Sequence, residues 1–279
     1  MSSSPQFTDL EYERSADGVY RLNYDVRAEM DAPIRNHAWC LRLSLPDDDF
    51  FEVEALSRYV EPECTTSTGF DYLGQEYSYG LVREDHSVFR YGLSATIRQH
   101  SSYGRRPDAV PIQMFLRSDR LTELDHKGVG WLDAFQSPEK PKDPLEWSIG
   151  AMHEITQNMI YLTGTTNYST PAGDAVSQGS GVCQDFAHIL IGLCRAHGVP
   201  ARYVNGFFVG EGETHAWVEV FVDGRWYGLD PTHNRLVVQD YVPLARGRNA
   251  EDCSLNRGVW SSVVQQHLRI SASLVEVGE

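Results

Sequence analysis

The stretch THAWVEVFVDGRWYGLD, Thr214 to Asp230, holds two β-rich runs separated by Asp223-Gly224. Asp-Gly between alternating apolar runs is the strongest short-range hairpin signal, because a type I′ turn needs positive φ at both central positions. A two-residue turn fixes the register. Val222 then faces Arg225, and stepping outward brings Trp217 opposite Asp230. Side chains alternate across a strand, so His215 shares a face with Trp217 and is the diagonal neighbour of Asp230. The hairpin therefore predicts an imidazole beside a carboxylate. Such a carboxylate can hold one ring nitrogen and leave the other aimed at a nucleophile.

A nucleophile stands upstream. GVCQDFAH, Gly181 to His188, follows the Gly-rich approach Gln178-Gly179-Ser180-Gly181. Phe186, Ile189, Leu190, Leu193, Cys194 and His197 recur at helical spacing until Gly198-Val199-Pro200 stops the run. Cys183 is thus predicted at a helix N-terminus. Free N–H groups and the helix dipole there favour a thiolate and can stabilise an oxyanion. By itself Cys183 would read as core, as Cys194 on the same stripe does. The predicted His215 and Asp230 pair is what gives it chemistry.

GVCQDFAH, then RYVNGFF (Arg202 to Phe208), then THAWVEVFVDGRWYGLDPTHN (Thr214 to Asn234) resembles the transglutaminase-like superfamily, specifically its bacterial cysteine-protease-like branch. The resemblance covers roughly residues 140–260. It implies a Cys183, His215, Asp230 triad in a papain-like α+β fold, with the Cys183 helix packed on a sheet carrying His215 and Asp230. The family includes crosslinking enzymes, proteases, deamidases, peptide N-glycanases and inactive members. The implied substrate is a peptide or protein with amide groups, and no cofactor is implied. Gln178 is a second oxyanion donor or a loop residue without a role. Trp217 shields the triad or simply packs. Asp185 reads as a brace for the helix start, and His233 as a structural or surface residue, with contact to the site as the alternative. A metal site built from His215, His233 and Asp230 is a further reading that lacks a compact ligand motif.

Three departures from the family pattern stand out. Asp71-Tyr72-Leu73-Gly74-Gln75 resembles its D-x-x-G-N turn with Gln75 replacing Asn. Arg246-Gly247-Arg248-Asn249 resembles its G-R-D turn with Asn249 replacing Asp, and Ser261-Ser262-Val263 replaces a Gly-rich run. The last two are expected near the substrate groove.

The rest of the chain supplies a β-domain. Tyr20, Leu22, Tyr24 and Val26 share one face of an alternating run, and Ala38 to Leu45, Phe50 to Leu56, Gln75 to Leu81 and Ser87 to Gln99 continue the pattern. Short strands at regular spacing predict an N-terminal antiparallel β-sandwich over residues 1–136. Its expected role is support, with substrate gating as the alternative. The run from Arg105 to Phe135 is less patterned and reads as a connecting layer. Ser137 to Pro144 is a Pro- and charge-rich linker, which puts a catalytic core domain at residues 137–279. Asp143 and Pro144 open a helix whose stripe is Leu145, Ile149, Met152, Ile155 and Met159, ended at Gly164. Gln266 to Val277 reads as a closing strand.

With 279 residues, 41% hydrophobic and 11% aromatic, the chain can bury a sizeable core. A formal net charge of −15 argues against nucleic acid and anionic membranes as partners. No apolar run is long enough for a transmembrane helix, and Met1 to Gln6 shows no signal-peptide pattern, so a cytoplasmic location is expected. Five cysteines, an odd number without a C-x-x-C pair, fit a reducing compartment and carry no zinc signature. Asp47-Asp48-Asp49 after Pro46 reads as a solvated turn. The function expected is thiol-dependent acyl transfer on amide bonds, hydrolytic rather than crosslinking. A crosslinking transglutaminase and a non-catalytic binding module are the alternatives.

Overall fold

The computed structural model describes residues 17–46, 48–100, 104–124, 130–135 and 141–278. The expected domain boundary at 136/137, Met1 to Gln6 and Asp47 lie outside the described residues. The N-terminal strands are β1 (Gly18–Ile34), β2 (His37–Leu41), β3 (Phe51–Glu61), β4 (Thr66–Phe70), β5 (Glu76–Val82) and β6 (His86–Gln99). The C-terminal half holds α1 (Pro144–Asn158), β7 (Ile160–Tyr161), α2 (Ala172–Gln178), β8 (Ser180–Gly181) and α3 (Cys183–Ala196). There follow β9 (Ala201–Phe208), β10 (Gly210–Gly212), β11 (His215–Val222), β12 (Arg225–Asp230), β13 (Arg235–Val237), β14 (Tyr241–Gly247), β15 (Asn256–Val259) and β16 (Gln266–Glu276). The fold is α+β, as expected.

Two antiparallel sheets face each other in the N-terminal part, one ordered β10-β16-β1-β6-β3 and the other β15-β2-β5-β4. The alternating residues of β1 point inward: Tyr20, Leu22, Tyr24 and Val26 are all buried. The closing strand of the chain is not where a sequential division puts it. β15 and β16, assigned above to the second unit, pair with β2 and β1 of the N-terminal sheets. Alternation marks a strand but says nothing of which edge it joins. β10, in the connection leading to His215, is hydrogen-bonded to β16 in turn.

The third sheet, β13-β12-β11-β9-β14, carries the hairpin, and α3 packs across it against α1 and α2. Asp143 caps α1 as expected, its carboxylate accepting from the Leu145 and Glu146 N–H groups with Pro144 in the first turn. α1 ends at Asn158 and not at Gly164. Ile160 and Tyr161 leave the helix to pair in parallel with Ser180 and Gly181, and Gly164 serves a later turn at φ 81°.

A buried ion network locks this sheet to its neighbours. Glu219 of β11 is wholly buried and accepts from Arg202 of β9 at 2.6 Å, Arg246 of β14 at 3.1 Å and Arg105 at 3.2 Å. Asp48 pairs with Arg105 and Arg246, and Asp108 with Arg202. The Asp48-Asp49 turn is therefore no solvated acidic cluster: Asp48 sits in the network. Burial works against the Glu219 charge, but the three guanidiniums outweigh it and hold its carboxyl well below the usual carboxylate range. Removing one partner of a buried network leaves the others desolvated and unpaired. Glu219→Ala is expected to cost about 3–5 kcal/mol in urea unfolding. An exposed carboxylate such as Glu52→Ala should change stability by about 0.5 kcal/mol or less.

Candidate functional site

The backbone before α3 is built around one side chain. Val182 is extended at the helix N-cap, and Asp185 folds back so that its carboxylate accepts from the Val182 N–H at 2.7 Å and from the Thr166 hydroxyl at 2.6 Å. A Cβ on Gly181 would lie 2.6 Å from that carboxylate, so the turn has room only for glycine. Burial pushes the Asp185 carboxyl up, with Thr166 and the Val182 N–H opposing. Asp185 is thus a brace, and Cys183 occupies the first turn of α3, where backbone N–H groups lack intrahelical partners. Behind it, Phe186 to Arg195 is buried throughout. His188, whose imidazole accepts from the Ala250 N–H, is driven by burial to a pKa of about 3 and is neutral.

The hairpin follows the register read from the sequence. Asp223 and Gly224 have φ of 48° and 80°, and Val222 faces Arg225 with the ladder running to Val218 opposite Leu229. His215 opens β11 and Asp230 closes β12. His215 Nε2–H donates to Asp230 Oδ2 at 2.7 Å, and Cys183 lines the same groove as the ring. The imidazole thus has the carboxylate as its hydrogen-bond partner and the cysteine as a neighbour in the groove. Burial disfavours the charged ring, yet the bonds and charges of Asp230 and Cys183 prevail and raise its pKa to about 9.

Two residues join the site: His233, for which the sequence left contact with the site as an alternative, and Tyr241, which the sequence did not place there. Asp230 Oδ2 also accepts from the Tyr241 hydroxyl at 2.6 Å and from His233 Nδ1 at 2.8 Å, while Oδ1 accepts the N–H groups of Thr232 and His233. Burial alone would raise the Asp230 carboxyl; these bonds, led by His215, hold it far below the usual carboxylate range. His233 was read as structural or exposed, and its ring in fact covers the carboxylate from the solvent side. Tyr241 opens β14, and no spacing pattern in the sequence marks it. The ligand atoms of His215, Asp230 and His233 lie within 4.8 Å of one another. Both rings, however, aim a nitrogen at the same carboxylate oxygen, so a cation there would have to displace both hydrogen bonds.

The other expected site residues lie elsewhere. Trp217 is fully buried beneath the site, stacked 6.3 Å from the His215 ring and edge-on to Tyr241 at 5.2 Å, so it supports the imidazole from below. Gln178 is exposed on the last turn of α2 and does not line the groove above Cys183. Asn249 caps the turn after it by accepting from Glu251 and Asp252, and the Ser261 hydroxyl donates to the Arg35 carbonyl. Neither lines the groove. Gln75 exchanges two hydrogen bonds with the Arg246 backbone, so that family-like turn braces β14.

Cys183 and His215 open onto a groove of about 450 Å³ walled by Tyr161, by the 210–213 segment and by Ala272 to Leu274 of β16. A larger cleft of about 580 Å³ lies over the Glu219 network and contains neither Cys183 nor His215. Its charges are already matched to one another, whereas Cys183 and His215 line the smaller groove.

The His215–Asp230 pair has a pH signature. A histidine pKa raised on folding adds stability that is complete below its unfolded value near 6.5 and is lost as pH rises through about 9. The stability difference between the wild type and Asp230→Asn is expected to shrink by about 2–3 kcal/mol between pH 6 and pH 10. Below about pH 4 it should shrink again as Asp230 takes up a proton. Urea titrations at a series of pH values measure both limbs.

Residues 136–231 match the model of the transglutaminase-like superfamily. An uncharacterized protein of Mycobacterium leprae (strain TN) is 33% identical over 132 residues, 44% of this chain and 47% of its own length. An uncharacterized protein of Mycobacterium tuberculosis (strain ATCC 25618 / H37Rv) is 37% identical over 136 residues, 43% of each. The chain spans about half the length of the curated relatives it matches. A crystal structure from Cytophaga hutchinsonii, of a protein provisionally named a cysteine protease, superposes with a TM-score of 0.74 at 21% identity. That likeness covers 95% of this chain and 92% of the other, and shows that the two share a fold. No helix among the described residues is long and apolar enough to cross a membrane. Residues 136–231 are thus similar to the transglutaminase-like superfamily, and the chain shares its fold with the Cytophaga hutchinsonii protein.

Proposed function

We propose that the chain is a thiol-dependent acyl-transfer enzyme acting on amide bonds of a peptide or protein. The observation that carries this is Cys183 and His215 lining one open groove, with the buried Asp230 carboxylate hydrogen-bonded to the His215 ring. The Cys183 sulfur attacks the amide carbonyl carbon, and the negative charge passes to oxygen beside the N–H groups of the α3 first turn. His215 delivers its proton to the departing nitrogen, the C–N bond breaks and a thioester remains. Water then attacks the thioester with His215 as base, releasing a carboxylic acid and restoring the thiol. Asp230 holds the ring in place and stabilises the imidazolium. Hydrolysis is the favoured outcome, because the groove leaves Cys183 open to water. The name of the Cytophaga hutchinsonii protein is in keeping with this reading.

The test is selective alkylation. With iodoacetamide at about pH 6.5, Cys183 is expected to react at least about 10-fold faster than Cys40 and Cys64, with buried Cys194 and Cys253 slowest. His215→Ala should remove most of that advantage and Asp230→Asn a smaller part. Mass spectrometry after timed labelling reads all five sites at once. Equal rates at Cys183 and Cys40, untouched by His215→Ala, would favour the non-catalytic binding module.

A further inference from the structure

The groove at Cys183 has an unbalanced charge. Glu211 and Glu213 line it, both exposed, and no lysine or arginine does. Among the described residues neither carboxylate has an ion pair, in contrast to the larger cleft, where Glu219, Asp48 and Asp108 are each matched to arginines. Glu211 is not on a free loop. It lies in β10, whose ladder sets it opposite Ser273 of the groove wall. Glu213 is close to the chemistry. The Tyr161 phenol, raised first by burial, is raised further by the charges of Cys183 and Glu213, so one ring feels both the thiol and this carboxylate. Tyr161 is half exposed and borders the same groove, and an aromatic face favours a cation. Unpaired like charges in a concave wall focus the field and concentrate ions of opposite sign.

We propose that Glu211 and Glu213 form a subsite for a cationic group carried by the amide substrate, a lysine or arginine side chain or a free ammonium, beside the bond that Cys183 attacks. The proposal rests on the nucleophile reading above and names the substrate class of that same site. Glu211 and Glu213 act here as specificity residues, holding the cation while Cys183 and His215 do the chemistry.

Three methanethiosulfonates test it on the full chain, because the thiolate displaces sulfinate from each reagent by the same step. The probes are the trimethylammonium-ethyl, sulfonato-ethyl and neutral methyl reagents. Each rate at Cys183 is read by mass spectrometry and divided by its rate with a small free thiol. The normalised cation-to-anion ratio is expected to be about 10-fold or more at low salt, from opposite signs of a Coulomb term at close range. It should fall toward one in about 1 M salt. In Glu211→Gln/Glu213→Gln the ratio should drop at least about 5-fold, while the neutral reagent reacts at its wild-type rate. Glu52→Gln/Glu61→Gln, on β3 four strands and roughly 19 Å from β10, changes the net charge equally and should leave the ratio intact. A ratio unchanged by the groove substitutions, or lowered as much by the β3 pair, overturns the subsite. Slow neutral labelling of Cys183, no faster than Cys40, instead overturns the nucleophile reading, and the subsite falls with it.

Discussion

The buried carboxylate of Asp230 is the constraint on which the site depends. Sinking an ion into a protein interior costs several kcal/mol unless donors replace the lost water. Here five do so, from His215 on β11, from Thr232 and His233 in the turn after β12, and from Tyr241 on β14. One side chain therefore ties together the hairpin, the following turn and the next strand. The same carboxylate keeps the His215 ring charged in spite of its burial. An imidazolium held this way can sit beside Cys183 and has one direction in which to give up its proton.

This arrangement leans on the N-terminal sheets. Gln99 at the end of β6 donates to the Tyr241 carbonyl and accepts from the Asp240 N–H, so β14 is anchored where it meets Asp230. Tyr20 of β1 donates to Asp240. β16 pairs with β1 along one edge and β10 along the other, which holds the segment that leads into His215. The β-sheets thus do more than cover a face. Through Ala272 to Leu274 they supply one wall of the groove itself.

The larger cleft and the smaller groove show why charge and volume must be read together. Arg105, Arg202 and Arg246 converge on Glu219 and Asp48, and Arg202 stacks over Trp226 with its guanidinium carbon 3.9 Å from the ring centre. A ligand in that cleft would compete with partners already in place. The groove at Cys183 has two carboxylates, Glu211 and Glu213, with no such partners among the described residues, in the same wall as His215.

Much of the local structure of the site was legible in the sequence. Asp223-Gly224 can turn in one way only, and that turn puts His215 beside Asp230. The Gly-rich approach and the apolar stripe put Cys183 at the start of α3, and Asp143-Pro144 opens α1. These features depend on φ preferences and on periods of two and 3.6 residues, which neighbouring residues settle among themselves. What the sequence left open comes from distant parts of the chain. Alternation in Gln266 to Glu276 is the same whether the strand closes the sheet of the hairpin or returns to β1. Tyr241 becomes a partner of Asp230 and Glu219 becomes the centre of an ion network only once β9, β11, β12 and β14 lie side by side. Such contacts are decided by which strand edges meet and which side chains are then driven from water, and that is a property of the assembled sheets.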